Sequence, residues 1–176
     1  MEDIRVAICD DSALMRNLIG RIIDETDGLC VAGKAVNGKD LLDNLSSFNA
    51  DIILLDIEMP VMTGVQFLEE RKKRNIDVPV LILSSIATEG AAVTMQCISL
   101  GASDFITKPG GSVSLKITEV SAEIVESVAA YGGAYAALHG KSVYDPDYFH
   151  NQLKYKAAQK FVQQKKIEQG VQAVSI

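Results

Sequence analysis

The 176-residue chain is 48% hydrophobic, 23% charged and 6% aromatic, a balance that excludes a disordered or fibrous protein and suits one packed domain with an appendage. Its 23 acidic residues outnumber 17 basic ones, for a net charge of −6, which argues against a surface that neutralises nucleic-acid phosphates. No apolar run reaches the roughly 18 residues of a membrane span, the start Met1-Glu2-Asp3 lacks a secretion signal's basic segment, and the scattered Cys9, Cys30 and Cys97 read as buried thiols of a cytoplasmic protein.

Taken along the chain, short apolar runs alternate with segments of helical period. Residues 4–9 (IRVAIC) predict a first strand, and 13–26 a helix with Leu14, Leu18, Ile22 and Ile23 on one face behind Ser12 as N-cap. Residues 29–35 predict the second strand and 39–45 a helix capped by Asn37. Next come a third strand at 51–55 (DIILL), a helix at 65–74, a fourth strand at 80–83 (VLIL) and a helix at 88–100 closed by Gly101. A fifth strand at 104–107 precedes a helix at 115–131, with Val120, Ile124 and Val128 at four-residue steps. The central runs hardly alternate, as expected of strands covered on both faces. The fold class that follows is α/β, a five-stranded doubly wound parallel sheet with right-handed crossovers.

Charge divides the chain. Residues 1–140 hold 11 basic and 20 acidic side chains, whereas 141–176 hold 6 and 3. Gly132-Gly133 with its alanines predicts a flexible join over 132–145, separating a folded unit at 1–131 from a segment at 146–176. That segment opens on Pro146 and carries Phe149, Leu153, Ala157 and Phe161 at four-residue steps among lysines, so 146–169 predicts a basic amphipathic helix. Three readings remain open for it: packing back on the acidic unit, meeting a second chain, or a disordered remnant. Insertion into a membrane is not expected, and His150 reads as a surface residue.

In such a sheet, ligand sites form beyond the carboxyl ends of the strands. Asp10-Asp11 follow the first strand, Asp56 the third, Ser84-Ser85 the fourth, and Lys108-Pro109 the fifth. A single Asp or Ser there is usually a cap or turn former, but five such groups at one edge form a constellation. Clustered carboxylates call for a hard cation with oxygen ligands, of which Mg²⁺ fits best. Asp56, ending the most apolar run, is the candidate nucleophile toward phosphorus, with Lys108 and Ser84 placed to stabilise phosphoryl oxygens.

Asp10-Asp11, Asp56 within LLDIEMPVMTG, Ser84 and Lys108-Pro109 together resemble the receiver domain of two-component response regulators over about residues 3–131. The resemblance implies a flavodoxin-like (βα)5 receiver, to which the helix expected at 146–169 adds a C-terminal helical extension. It implies Asp56 as phosphoacceptor for a histidine kinase, and a Mg²⁺ site of Asp10, Asp11, Asp56 and the main-chain carbonyl of Glu58. Ser84 and Phe105 become the switch pair, Lys108 the phosphoryl partner, and the Lys108–Pro109 bond is expected to be cis. Any single conformation could equally leave Phe105 in the core. Readout is expected on strands and helices four and five, toward a protein effector or second chain.

Residues 83–117 (LSSIATEGAAVTMQCISLGASDFITKPGGSVSLKI) further resemble the receiver of the chemotaxis protein-glutamate methylesterase. The esterase itself is not expected, since no glycine-rich serine loop follows residue 131 and about 45 residues are too few for that domain. Two other readings share the chemistry or the fold. A haloacid-dehalogenase-type phosphohydrolase also uses a strand-end Asp, and there Glu58 stands where an acid/base Asp is needed; the acidic pair preceding Asp56 opposes it. A flavodoxin-like FMN carrier would share the fold, but this chain lacks the hydroxyl- and glycine-rich loop after strand one and the strand-end aromatics that would stack a flavin.

Overall fold

The computed structural model describes residues 1–85, 90–108 and 113–170, with side chains throughout except at 113–119. Five parallel strands, β1 (Ile4–Cys9), β2 (Leu29–Ala35), β3 (Ile52–Asp56), β4 (Val80–Ser84) and β5 (Asp104–Thr107), form one sheet in the order β2-β1-β3-β4-β5. Helices α1 (Ala13–Asp24), α2 (Gly38–Phe48), α3 (Gly64–Lys73) and α4 (Ala91–Ser99) fill the four crossovers, and α5 (Val113–Ser127) follows β5. Residues 88 and 89, expected to open the fourth helix, lie outside the described residues.

The weak alternation of the central strands has a direct cause. Every residue of β3 and β4 is buried, because alternate side chains enter two separate cores. Val6, Ile8, Leu54, Leu81 and Leu83 pack on the α1–α5 side with Ile19, Ile23, Ile124 and Val128. Ala7, Cys9, Ile53, Leu55 and Ile82 pack on the other side with Leu41, Leu45, Phe67, Leu68 and Cys97. Ser12 Oγ accepts from Met15 N at 3.2 Å, and Asn37 Oδ1 from Asp40 N at 2.9 Å, as their capping positions require.

The flexible join expected from Gly132 does not form. The chain continues from α5 through a π-helical turn (Val128–Gly132) directly into α6 (Gly133–Leu138). Both glycines have right-handed helical φ/ψ and are buried. A Cβ on Gly132 would stand 2.9 Å from Ile4 Cγ2 and 3.0 Å from Ile52 Cγ2. The glycine therefore lets a helix backbone lie on the first residues of β1 and β3, which is a packing role rather than a hinge. The chain after α6 is also tied down: Lys141 Nζ meets both oxygens of buried Asp51 at 2.9 Å, and Glu2 N donates to Ser142 O at 2.7 Å.

A last helix, α7 (Pro146–Glu168), is capped by Asp145, whose Oδ1 accepts from Tyr148 N at 3.0 Å. Its first turns pack back on the folded unit. Phe149 is fully buried in the α1–α5 core, with Tyr144, Tyr148 and Leu153 around it. Gln152 exchanges two hydrogen bonds with the Asp27 backbone, at 3.1 and 3.2 Å, and Lys156 Nζ donates to Glu25 O at 2.8 Å. His150 is exposed, as expected, with Nδ1 3.0 Å from Glu126 Oε1. From residue 154 onward the helix is exposed.

Candidate functional site

The carboxyl edge of the sheet assembles the acidic cluster through register. Asp56 ends β3 opposite Leu83 of β4, so that Ser84 comes one residue further, opposite Thr107 of β5. Lys108 follows Thr107, and its N–H donates to Ser84 O at 2.6 Å, holding the end of β5 against the end of β4. Asp10 leaves β1 with its N–H bonded to Ala35 O at 3.1 Å. The loop after Asp56 is closed by Gly64, whose N–H donates to Ile57 O at 2.8 Å. A Cβ at that position would overlap the Asp56 carbonyl oxygen, so only glycine lets α3 begin this close to the strand end. Thr63 and Gln66 form a reciprocal capping box there.

The side chains converge. Lys108 Nζ lies 2.7 Å from Asp10 Oδ2 and 3.0 Å from Asp56 Oδ1, and one oxygen from each of Asp10, Asp11 and Asp56 falls within 4.8 Å of the others. Asp10 is fully buried and Asp56 nearly so, whereas Asp11 is exposed and opens the cluster to solvent. Asp10 is further fixed by Ser12 N donating to its Oδ1 at 2.9 Å and by Arg16 Nη1 donating to its carbonyl at 2.7 Å. Asp56 Oδ1 also accepts from Ile57 N at 2.8 Å.

One ammonium among three carboxylates leaves an excess of negative charge in a largely dry place, which a divalent cation would relieve. The donor set is all oxygen, and the fully buried Asp10 Oδ2 has the ammonium as an ionic neighbour but no well-aligned hydrogen bond. These residues therefore fit a hard ion such as Mg²⁺. Burial alone would lower the Lys108 pKa, but its short ionic contact with Asp10 and the charges of Asp56 and Asp10 outweigh burial and raise it. The ammonium is thus locked on. Beneath the site, burial first and Asp10 second push the Cys9 thiol far above its ordinary range, and its Sγ lies 3.6 Å from Met59 Sδ.

The remaining residues singled out in the sequence divide. Ser84 is buried at the end of β4. The Glu58 side chain is exposed and stands outside the carboxylate cluster. Phe105 is 46% exposed on β5, turned out of the core. Pro109, and with it the bond expected to be cis, lies outside the described residues.

Sequence reasoning did not reach the loop conformation beside Asp56. Val61 has φ 66°, with Met62 N donating to Pro60 O at 2.7 Å, a strained γ-turn for a β-branched residue. Nor did it find the Asp51–Lys141 pair, whose partners are 90 residues apart and carry no local signal. Among the described residues, no helix is long and apolar enough to cross a membrane.

Comparison with known proteins agrees with this geometry. Residues 6–118 match the response regulator receiver domain. The chain is 60% identical over 136 residues to a protein-glutamate methylesterase/protein-glutamine glutaminase of Treponema pallidum, covering 77% of this chain and 34% of that protein. It is 42% identical over 130 residues to the protein of the same name from Bacillus subtilis, covering 73% and 36%. The chain thus spans about a third of the length of these relatives. Among solved structures, the response regulator domain of Thermotoga maritima CheB superposes with a TM-score of 0.67 at 37% identity, covering 75% of this chain and 98% of that one.

Proposed function

The chain belongs to the response regulator receiver family, and from that premise we propose that it is a phosphorylation-dependent signalling switch whose acceptor is Asp56. The reading is carried by one observation: the Lys108 ammonium bridges Asp10 and Asp56 at 2.7 and 3.0 Å at the edge where Asp11 completes a carboxylate triad.

An Asp56 carboxylate oxygen attacks phosphorus of a histidine kinase's phosphohistidine. The new O–P bond forms as the P–N bond breaks, and the departing imidazole nitrogen keeps the electron pair. Asp10, Asp11 and the Glu58 carbonyl would hold Mg²⁺ beside Asp56. Bound there, the ion supplies neutralising charge to the phosphoryl oxygens. Lys108 trades its contact with Asp56 for one with a phosphoryl oxygen, so its alignment precedes the chemistry. Ser84 donates its hydroxyl to another phosphoryl oxygen, and half-exposed Phe105 turns inward behind it. The two packings are separated by a small free energy that the new charge biases. The surface altered is that of β4, β5, α4 and α5, read by a protein effector.

Likeness to the methylesterase relatives and to the Thermotoga CheB domain supports reading the switch as one of chemotaxis-type signalling, and a cytoplasmic location is part of that reading. Methylesterase activity is not assigned to these 176 residues. The test is incubation with labelled acetyl phosphate, with and without Mg²⁺, followed by phosphotransfer from a phosphorylated kinase. Stable label that needs both the divalent ion and Asp56 supports the reading. Label that persists in Asp56→Asn contradicts it, and steady turnover of a small phosphate ester would support the hydrolase reading instead.

A further inference from the structure

The far half of α7 is built for contact that its own chain does not supply. After Lys156, none of the described hydrogen bonds or ion pairs of α7 reaches the rest of the molecule. Yet Tyr155 is 65% exposed, Phe161 59%, Val162 52% and Ile167 70%. Tyr155, Ala158 and Val162 stand at i, i+3 and i+7 and form one stripe, flanked by Phe161. The residues that face the body, Phe149, Leu153 and Lys156, form another stripe.

We propose that the Tyr155–Ala158–Val162 stripe is the seam of a two-fold, antiparallel pair of α7 helices joining two copies of this chain, with Ala158 at the dyad. Three features favour a second copy over another occupant. The first is shape: a small residue at the centre lets the backbones approach, and Tyr155 of one helix comes level with Phe161 of the other, with Val162 beside it.

The second is charge. The first turn of α7 carries Asp147 behind the Asp145 cap, and its last turn carries Lys165 and Lys166. An antiparallel pair sets the lysines of one helix beside the acidic first turns of the other, where Glu126 also lies. A parallel pair would stack lysine on lysine. Lys156 and Lys160 project away from the seam, so the pairing does not bring them together. The helix surface also opposes the body in sign, since residues 1–140 carry 20 acidic side chains to 11 basic.

The third is length. With the dyad at Ala158, Glu168 comes level with Tyr148, so the free half spans about 15 Å, the distance from the dyad back to the root at 1.5 Å per residue. Each arm ends where the other begins. The inference rests on α7 alone and not on the phosphoryl chemistry.

The test uses the full chain, followed by light scattering and sedimentation equilibrium from about 5 to 500 µM. A concentration-dependent dimer is expected, and Tyr155→Ser with Val162→Ser should raise its dissociation constant at least about tenfold. Both residues are exposed, so thermal unfolding of the body should not change. Register is read separately by oxidation of two single variants. Ala158→Cys should cross-link as a dimer, because cysteines facing each other across the dyad lie within bonding reach, whereas Gln164→Cys should not. The unsubstituted chain controls for its own thiols. A monomer throughout this range, a dimer indifferent to the double substitution, or equal cross-linking at 158 and 164 would overturn the proposal.

Discussion

Replacing Phe149 by Ala asks whether the C-terminal helix is part of the fold. Phe149 is fully buried and sits in the same core as Ile4, Ile23, Val128 and Ala129. Its ring packs edge-on to Tyr148, with centroids 5.5 Å apart at 86°, and a Cβ at Gly28 would stand 3.0 Å from its Cζ. Removing it forfeits the transfer energy of the ring, leaves a cavity, and drops an aromatic pair. Together these cost about 3–5 kcal/mol. For a domain of this size each kcal/mol moves Tm by about 2–4 °C, so a fall of about 6–20 °C is expected. Phe149→Leu, which keeps most of the volume, should cost about 1 kcal/mol. Urea unfolding followed by circular dichroism measures both. A loss below about 1 kcal/mol for Phe149→Ala would mean that α7 is a detachable appendage, and the integrated unit described above would be wrong.

Val61→Gly should stabilise the chain by about 1 kcal/mol, because relief of about 1–3 kcal/mol of strain at φ 66° exceeds glycine's entropic cost of about 0.5–1 kcal/mol. A lower urea midpoint would contradict this. Of the three thiols, only half-buried Cys30 should react with a disulfide reagent without denaturant, and slowly, since Cys9 and Cys97 are buried and burial raises the Cys30 pKa. Fast titration of two thiols would contradict it. The folded-state pKa of Lys108 is raised, so its stabilising contribution is full below the unfolded value of about 10.4 and is lost as pH climbs through the folded one. The stability difference between the chain and Lys108→Met should therefore shrink above about pH 10, as unfolding at several alkaline pH values would show.

What the sequence made legible follows from what is local. The strands of the sheet could be read because their residues enter two cores and leave unbroken apolar runs, with β1, β2 and β5 at the bounds expected. Asp10, Asp11, Asp56 and Lys108 could be placed together because parallel strands bring their carboxyl ends to one edge, whatever the packing inside. Gly132 was misread because a glycine pair has the same composition whether it frees a chain or lets two backbones touch. Only the positions of Ile4 and Ile52 decide which. Likewise the four-residue period of Phe149 and Leu153 fixed a helical face but not what it meets. Asp51 with Lys141, and Gln152 with Asp27, depend on the path of the chain after α5.

Whether Asp56 carries the phosphoryl group is read by site-resolved mass spectrometry. The chain is incubated with acetyl phosphate and Mg²⁺, the acyl phosphate is trapped by borohydride reduction, and the peptides are sequenced. The reduced residue is expected at Asp56, and is absent when the divalent ion is chelated. Modification at Asp10 or Asp11 instead, or none with Mg²⁺ present, would contradict it.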